Sequence, residues 1–264
     1  MMTGAKLRPL LWIAVYGALA MPLFAQRVSL RIAPPEGDTL RMQLHQRFDM
    51  QSDESSGVVT GEMRVWTHAI VMRRAPGYTD LVSVTDSVKV FPANISLRPL
   101  LEAQSALEGR TVRLRIADNG AMMVGSGPDA VFGGGTAMPS MLPENPVSVG
   151  GSWTRDMTVP LSATGSSTAN VRTRFRLDSL TNHGGEAFIS FRGAVTHDHA
   201  QDGGGTTGST VGTLTGMMEV DRRLRWITDS EMTVNVISNI RSPGKPAVHS
   251  RMRITQTLRA LVGN

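Results

Sequence analysis

Residues 40–50 read LRMQLHQRFDM, and this stretch decides the fold class. Polar and apolar side chains alternate along it, and the apolar positions are Leu40, Met42, Leu44, Phe48 and Met50. A period of two is typical of a β-strand that buries one face and exposes the other. One-sided strands of this kind favour antiparallel sheet, because parallel sheet is buried on both faces.

The same alternation returns at Thr111–Ile116, Val171–Ser179 and Arg251–Arg259, where arginines occupy the polar face. Further predicted strands are Gly61–Arg73, Thr79–Val90, Ala121–Gly125, Ser152–Val159, Glu186–His197, Ser209–Val220, Leu224–Ile227 and Glu231–Ile240. Turn-forming pairs such as Pro76-Gly77 separate these segments. The sequence therefore predicts a mainly β fold: a strongly curved antiparallel sheet, as a half-barrel or a sandwich, with one short helix.

The helix is predicted between Leu97 and Leu107, where leucines recur near helical spacing. Pro99 near its start and Gly109 after its end match the preferences of helix boundaries. This helix is expected to lie across the mouth of the curved sheet. The Gly-, Thr- and Ser-rich segment Gln201–Gly212 is instead predicted to form a loop at a hairpin tip.

The first 25 residues have the three-part pattern of a secretory signal peptide. Lys6 and Arg8 precede the uncharged apolar run Pro9–Leu23, and Ala25 precedes the polar Gln26. The run is shorter than the roughly 20 residues of a membrane-spanning helix. Cleavage after Ala20 and an uncleaved anchor are the alternatives. The pattern predicts an exported protein, in the periplasm or outside the cell.

Residues 26–264 are predicted to form a single antiparallel β domain in two halves. The halves run from about 26 to 136 and from about 143 to 264, and a Gly- and Pro-rich linker joins them. This linker belongs to the segment Phe132–Gly151, FGGGTAMPSMLPENPVSVGG, which lacks alternation.

The composition excludes several functional classes. The chain has no cysteine, which excludes disulfide frameworks, thiol nucleophiles and cysteine-ligated metals. The formal net charge is +5, but Lys6 and Arg8 belong to the N-terminal segment, so the remainder is only mildly basic. Aromatic residues make up 5% of the chain, too few for stacking platforms, so no nucleic-acid partner is predicted.

Two histidines form the sharpest candidate for a metal site. On a strand, His197 and His199 would lie on one face, with Asp202 nearby as a third ligand. The simpler interpretation is a pair of polar residues at a strand end that leads into a flexible glycine-rich loop. No nucleophile elbow, phosphate-binding loop or dinucleotide motif is present, so the sequence predicts no catalytic residues, no cofactor and a protein that is not an enzyme.

The arginine rows have two interpretations. Arginines at Arg113 and Arg115, Arg172 to Arg176, Arg223 and Arg225, and Arg251 and Arg253 could bind a polyanion if their strands are neighbours. Alternatively, they form a solvated face on which arginines pair with cross-strand acids such as Asp178 and Glu186. The near balance of 27 basic and 22 acidic residues favours the solvated face.

An exported chain with one-sided strands and an early helix resembles the half-barrel carriers of bacterial envelopes, the LolA/LolB and LprG/LppX-like proteins. The resemblance implies a curved sheet around an apolar cavity that holds acyl chains. In addition, Val147-Ser148-Val149-Gly150-Gly151-Ser152-Trp153 resembles a V-x-V-G-x-x-W motif of uncharacterised secreted bacterial β-proteins. The chain lacks the lipidated cysteine of the lipoprotein members.

Together these observations predict an envelope protein that binds or carries an apolar, lipid-like molecule in a β cavity. The candidate wall of this cavity comprises Leu44, Phe48, Val112, Leu114, Phe175, Met217, Trp226 and Met252. The alternative is a non-enzymatic structural or interaction module of the envelope, a filled β-sandwich with a protein or glycan partner. The sequence does not choose between a filled and a hollow core.

Overall fold

The computed structural model describes residues 27–53, 57–92, 98–124, 140–160, 168–199, 207–241 and 243–261. The predicted signal peptide lies outside them. The described strands are β1 (Thr39–Ser52), β2 (Val59–Ala75), β3 (Tyr78–Pro92), β4 (Thr111–Ala117), β5 (Met122–Val124), β6 (Ser152–Pro160), β7 (Thr168–Thr181), β8 (Glu186–His199), β9 (Thr207–Asp221), β10 (Trp226–Arg241) and β11 (Val248–Ala260). Helix α1 spans Arg98–Leu107, and Asn182–Gly184 forms a 3₁₀ turn between β7 and β8.

All these strands belong to one antiparallel sheet, in the order β5-β4-β3-β2-β1-β11-β10-β9-β8-β7-β6. Strands β1 and β11 pair at its centre, with Phe48 opposite Ile254. Strands β2 to β5 extend the sheet on one side, and β10 to β6 extend it on the other. The prediction of a mainly β, antiparallel, curved sheet with one short helix is confirmed.

Glycines on one face of β9 allow the neighbouring backbones to approach closely. A Cβ atom at Gly212 would overlap the carbonyl oxygen of Asn235 on β10. One at Gly216 would overlap the ring of Phe191 on β8 and the carbonyl oxygen of Glu231. Because these positions have no side chain, the sheet bends toward this face of β9 without steric conflict.

Two predicted strand boundaries near the turn between β9 and β10 are wrong. The predicted strands Leu224–Ile227 and Glu231–Ile240 form one strand, β10, whose register shifts between Ile227 and Asp229. Leu224 lies instead in the preceding turn, together with the arginines at 223 and 225. The Oδ1 atom of Asp221 stabilises that turn by accepting hydrogen bonds from the backbone N–H groups of residues 223 and 224, at 2.7 and 3.0 Å.

The predicted loop Gln201–Gly212 is partly strand, because β9 begins at Thr207. Gly208 pairs with Ile240 and Gly212 with Val236, so the glycines continue the ladder to β10. Close backbone packing outweighs the weak strand preference of glycine here. Residues 201–206 of the predicted loop lie outside the described part of the chain.

An extended segment before β1 closes one end of the sheet, although no strand is predicted there. Val28 exchanges backbone hydrogen bonds with Val147, at 2.8 and 2.9 Å. The N–H groups of Ile32 and Ala33 donate to the carbonyl oxygens of Asp118 and Arg225, which lie in two hairpin turns. The inward side chains Val28, Leu30 and Ile32 are only 1–2% exposed. This end of the sheet is therefore plugged by the chain itself, and we call it the closed end.

The V-x-V-G-x-x-W motif anchors the start of β6 to this end. The N–H of Gly150, where φ is +83°, donates to the carbonyl oxygen of Leu177, and the N–H of Leu177 donates to that of Gly151. The indole N–H of Trp153 donates to the carbonyl oxygen of Met141 at 2.8 Å. The motif therefore has a structural explanation, since it joins the segment before β6 to β7.

Helix α1 ends where the sequence predicted, and Gly109 has the expected left-handed conformation with φ of +74°. The helix packs against β3, and the side chain of Gln104 donates a hydrogen bond to the carbonyl oxygen of Val88 at 3.0 Å. Within the described residues, no helix has the length and apolar character that a membrane span requires.

Candidate ligand-binding face

The register of the sheet assigns each strand residue to one of two faces. We call the face that carries Phe48, Ile254, Leu214 and Phe175 the inner face, because these side chains are 0–7% exposed. The opposite face, which carries Arg115 and most of the other strand arginines, is the outer face, whereas Arg155 on β6 lies opposite Thr173 and so on the inner face. An apolar ligand would bind at the inner face, because burial of apolar surface drives such binding.

The inner face of β6 to β11 is filled by its own side chains. Eight apolar ones are fully buried, with 0% exposure, in the described part of this half of the sheet: Val171, Phe175, Leu177, Ala187, Leu214, Val220, Val234 and Ile254. Phe175 stacks on Trp153 at a ring-centroid distance of 5.7 Å and lies 5.4 Å from Phe191. This half is a packed core.

The inner face of β1 to β5 is less completely covered. Val71, Leu81, Val88 and Ile116 on this face are buried, whereas several other apolar side chains are half-buried, among them Met42, Leu44, Met63, Val112 and Leu114. We call these five the open apolar face. Gln46 and Thr67 lie on the same face of β1 and β2, so a molecule bound there would also meet amide and hydroxyl groups. The open apolar face is the candidate site for an amphiphilic ligand.

Most of the predicted wall residues share the inner face, but they lie in different environments. Leu44, Val112 and Leu114 belong to the open apolar face. Four others lie within the packed core at 0–8% exposure: Phe48, Phe175, Trp226 and Met252. Three of the predicted residues therefore share the inner face and stay half-buried, although Leu44 is level with Val88 on β3 and Leu114 with Leu81. The other four lie where the protein already fills the space.

Met217 does not share the wall, because it lies on the outer face of β9 and is 61% exposed. Its neighbour Met218 points inward and is 3% exposed. The alternation contained the signal, since Leu214, Met218 and Val220 share one parity and Met217 has the other. Met42 and Met63 are inner-face residues that the predicted wall omitted.

The predicted lid helix lies beside the open apolar face. Helix α1 follows β3 and packs on it, and Val88, which accepts the hydrogen bond from Gln104, is an inner-face residue with 2% exposure. The backbone of Gly109 donates to the carbonyl oxygen of Thr85 at 2.9 Å, which ties the end of the helix to β3. The helix is thus attached to one border of the candidate site.

The histidine pair lies at the end of β8. His197 pairs with Thr210 and His199 with Gly208, so their positions fall on the inner face, and His197 is half-buried. Asp202 lies outside the described residues. Among the described residues, no group of three or more His, Asp and Glu side chains is arranged to hold a metal ion.

Ion pairs organise the outer face of the N-terminal half. Arg115 on β4 forms two hydrogen bonds with Asp80 on β3, at 2.6 and 3.1 Å, and covers the ring of Tyr78 at 4.1 Å. The hydrogen bond from Arg115 lowers the pKa of the Asp80 carboxyl below its ordinary value. This half of the outer face is therefore polar, with arginines that contact both acids and aromatic rings.

The predicted acidic partners of the arginine rows differ from the observed ones. Asp178 pairs with Arg176 on its own strand at 3.7 Å, and Glu186 accepts hydrogen bonds from Thr181 and Asn182 instead. Asp229 is an observed cross-strand partner, and its carboxylate lies 3.3 Å from Arg259.

Three arginines line a shallow depression of about 510 Å³ on the outer face of β6 to β9. They are Arg172, Arg174 and Arg192, and the last two lie directly opposite each other on β7 and β8. Arg174 donates to the hydroxyl of Ser152 at 3.1 Å. The like charges of Arg174 and Arg192 repel each other. Together with Arg172, they make the depression a positively charged part of the outer face.

Comparison with known proteins does not assign a family. No protein-family model matches the chain, and no curated protein matches it. A solved structure described as "Lipid-protein interactions in lipovitellin" aligns with 9% sequence identity and a TM-score of 0.46. The alignment covers 86% of this chain and 25% of the lipovitellin chain, so this chain spans a quarter of that protein's length. Values this low assign neither a family nor a function, and the resemblance to the LolA and LprG carriers stays a prediction.

Proposed function

We propose that the protein binds and carries an apolar, lipid-like molecule against the open apolar face. The observation that carries this proposal is the unequal burial of one sheet. Inner-face residues of β6 to β11 such as Leu214 and Val234 are fully buried, whereas Leu44 and Leu114 on β1 and β4 are half-buried. Some apolar side chains of the inner face remain partly exposed to water. Such side chains form a favourable surface for an apolar ligand.

The energy available from such a surface is large enough for specific binding. Burial of a methylene group contributes about 0.8 kcal/mol, so roughly ten buried methylenes contribute about 8 kcal/mol before the costs of association. A dissociation constant of about 1 μM requires a net binding free energy of about −8 kcal/mol, so a ligand must bury more than ten methylenes to offset the cost of association. An acyl chain therefore suits this face better than a small polar molecule.

Helix α1 would act as the lid over this ligand. Within the described residues, the side chain of Gln104 donates one hydrogen bond to β3, worth about 1 kcal/mol, while backbone bonds between Thr85 and residues 109 and 110 hold the end of the helix. A contact of this strength can break and re-form as a ligand enters. Gly109 supplies the left-handed residue at the end of the helix, where the helix could pivot on β3.

We also propose that the protein is exported and that it does not catalyse a reaction. The signal-peptide pattern of residues 1–25 and the absence of cysteine support a location in the periplasm or outside the cell. The function would be reversible binding without a cofactor. An envelope protein or glycan is the proposed source or acceptor of the ligand.

A second candidate function is supported by the packed half of the molecule. The stack of Trp153 on Phe175 and the plug formed by Val28–Ala33 are features of a rigid module. In this case, the protein would be a structural or interaction module of the envelope, and the open apolar face would contact another protein.

Native mass spectrometry of the exported protein tests the proposal, followed by organic extraction and lipid analysis. We expect a discrete adduct of one lipid per chain. A clean apo mass, with no adduct after incubation with fatty acids or phospholipids, would overturn the carrier function and leave the module as the remaining candidate.

A matched pair of variants tests where the ligand lies. Met42→Gln places an amide on the open apolar face, whereas Met217→Gln makes the same change on the outer face of β9, where the side chain is 61% exposed. We expect the first variant to lower the affinity for a fluorescent fatty acid about tenfold and the second to leave it unchanged. Equal affinities in the two variants would place the ligand elsewhere.

A further inference from the structure

A second cavity lies at the closed end, on the side of Val28–Ala33 that faces away from the core. It has a volume of about 280 Å³ and is lined by Ser29, Arg31, Ala33, Arg74, Arg222 and Arg225. These residues come from three parts of the chain: the segment before β1, the end of β2 and the turn between β9 and β10. Four guanidinium groups therefore converge from regions far apart in sequence.

Two carboxylates offset part of this charge. Asp118 lies 3.0 Å from Nη2 of Arg74 and 3.7 Å from Nη1 of Arg31. Arg74 also donates two hydrogen bonds to the carbonyl oxygens of Ala75 and Tyr78, at 2.6 and 2.7 Å, which fixes its position at the hairpin end. Glu36 also lies beside Arg74, because its carboxylate accepts a hydrogen bond from the Arg74 backbone N–H at 3.2 Å. Four arginines against two carboxylates leave the cavity with a net positive charge.

Several hydrogen-bond donors at the cavity remain available. Nη1 of Arg222 donates to the carbonyl oxygen of Gly184, but its Nε is buried and has no hydrogen-bond partner among the described residues. The hydroxyl of Ser29 accepts a hydrogen bond from Arg31 at 3.1 Å, so its own proton can be donated. A buried donor without an acceptor is costly, and Nε of Arg222 would meet an anion only if the Arg222 side chain turned toward the cavity, whereas the hydroxyl of Ser29 lines the cavity already.

The backbone of Arg225 adopts an unfavourable conformation, and this conformation places the Arg225 side chain at the cavity. Its φ is +53°, a region that residues other than glycine rarely adopt. The carbonyl oxygen of Arg225 accepts a hydrogen bond from the N–H of Ala33 at 2.9 Å, which fixes the turn against the closed end. Strained backbone of this kind is concentrated at functional sites.

We propose that this cavity binds a phosphate group, as a free phosphate or pyrophosphate ion or as the headgroup of a phosphorylated lipid. Guanidinium groups form paired, charge-assisted hydrogen bonds with phosphate oxygens. The volume of about 280 Å³ suits one or two phosphate groups better than a larger ligand. The site is separate from the open apolar face and does not depend on the carrier function.

The depression on the outer face of β6 to β9 is a weaker candidate. Its arginines belong to neighbouring strands, and Asp156 on β6 lies directly opposite Arg172. The cavity at the closed end is smaller, is lined by four arginines and combines three chain segments. These differences favour it as a site for a compact anion.

Isothermal titration of the signal-cleaved protein with inorganic phosphate and with pyrophosphate, at low salt, tests the proposal. We expect saturable binding that Arg225→Gly weakens at least tenfold, because glycine adopts a positive φ freely and removes the charge. Arg223→Ala is the matched control, since Arg223 belongs to the same turn but does not line the cavity. Arg31→Ala is a second test variant, because the Arg31 side chain is 62% exposed and its removal leaves the core intact.

Two further results separate the sources of the phosphate group. Vesicles of phosphatidylglycerol that bind the wild-type protein but not Arg225→Gly would indicate a lipid headgroup, whereas binding of the ions alone would indicate a free phosphate. The proposal is overturned by the absence of saturable binding to both ions and vesicles. It is also overturned if Arg223→Ala weakens binding as much as Arg225→Gly, because the attraction would then be unspecific. Neither result depends on whether a lipid is extracted from the open apolar face.

Discussion

In the C-terminal half of the sheet, Val171, Phe175 and Leu214 on the inner face are completely buried. In the N-terminal half, Met42 and Leu114 occupy the corresponding face and stay half-buried. Both halves use antiparallel strands with the same alternation, and they are joined without interruption at β1 and β11. Alternation therefore specifies which face is apolar, whereas the packing partners decide how completely that face is removed from water.

The aromatic residues show why the halves differ. Trp153, Phe175 and Phe191 stack in succession across β6, β7 and β8 and fill the inner face there. The open apolar face contains methionine, leucine and valine, which are smaller or more flexible. Flexible methionine side chains adapt to ligands of variable shape. One half is thus suited to stability and the other to binding.

The largest expected effect distinguishes the two halves by stability. Phe175→Ala removes a fully buried ring, and we expect the free energy of unfolding to fall by about 4 kcal/mol. Leu44→Ala on the half-buried face should lower it by only about 1 kcal/mol. Urea denaturation measures both variants, and equal losses would contradict the division into a packed and an open half.

A bound lipid should stabilise the N-terminal half of the sheet. A ligand at one hundred times its dissociation constant stabilises the protein by about 2.7 kcal/mol. Hydrogen exchange with and without a fatty acid would show where this protection arises. We expect slower exchange in β1 to β4 and in α1, with little change in β7 to β9. Protection confined to β7 to β9 would argue against the open apolar face.

Glycine substitution tests the close backbone packing of β9. A Cβ atom at Gly216 would overlap the Glu231 carbonyl and the Phe191 ring, so Gly216→Ala should cost about 1–3 kcal/mol of stability. Gly57→Ala is the control, because a Cβ there meets no atom within 4 Å and no change above about 0.5 kcal/mol is expected. Thermal unfolding compares the two variants.

The smallest expected effect is the loss of stability at low pH from the ion pair between Asp80 and Arg115. Because the pKa of Asp80 is lowered in the folded protein, its pair with Arg115 contributes stability above the unfolded pKa of 3.8, and this contribution is lost as the pH falls through the lower folded value. Asp80→Asn should therefore be slightly less stable than the wild type at pH 6 and equal to it near pH 2. Both residues are surface groups, so solvent screening keeps the difference small. Urea midpoints at the two pH values measure it.

The strands could be predicted because each one repeats a local pattern. Residues 40–50 alternate with one exception, Gln46, at the apolar positions of β1, which extends from Thr39 to Ser52. The helix end at Gly109 was equally local, since a left-handed residue there requires little beyond glycine itself.

Features that depend on distant parts of the chain could not be predicted. The segment Val28–Ala33 does alternate, with Val28, Leu30 and Ile32 apolar, but its role at the closed end depends on hydrogen bonds to distant residues in hairpin turns and before β6. The arginine cavity has the same origin, because Arg31, Arg74 and Arg222 are far apart in sequence. The fold class followed from local pattern, whereas the sites followed from tertiary contacts.

The central pairing of β1 with β11 has a consequence for the order of folding. Met50 lies opposite Met252, so the middle of the sheet joins residues near the two ends of the chain. Strand pairs that are so far apart in sequence form slowly, because most of the loop-closure entropy is lost before stabilising contacts are made. Each meander can assemble on its own side, but the two can unite only after the last strand has left the ribosome. Until then β1 and β10 are unpaired edges, and a chain shortened before Val248 would keep both of them open to aggregation.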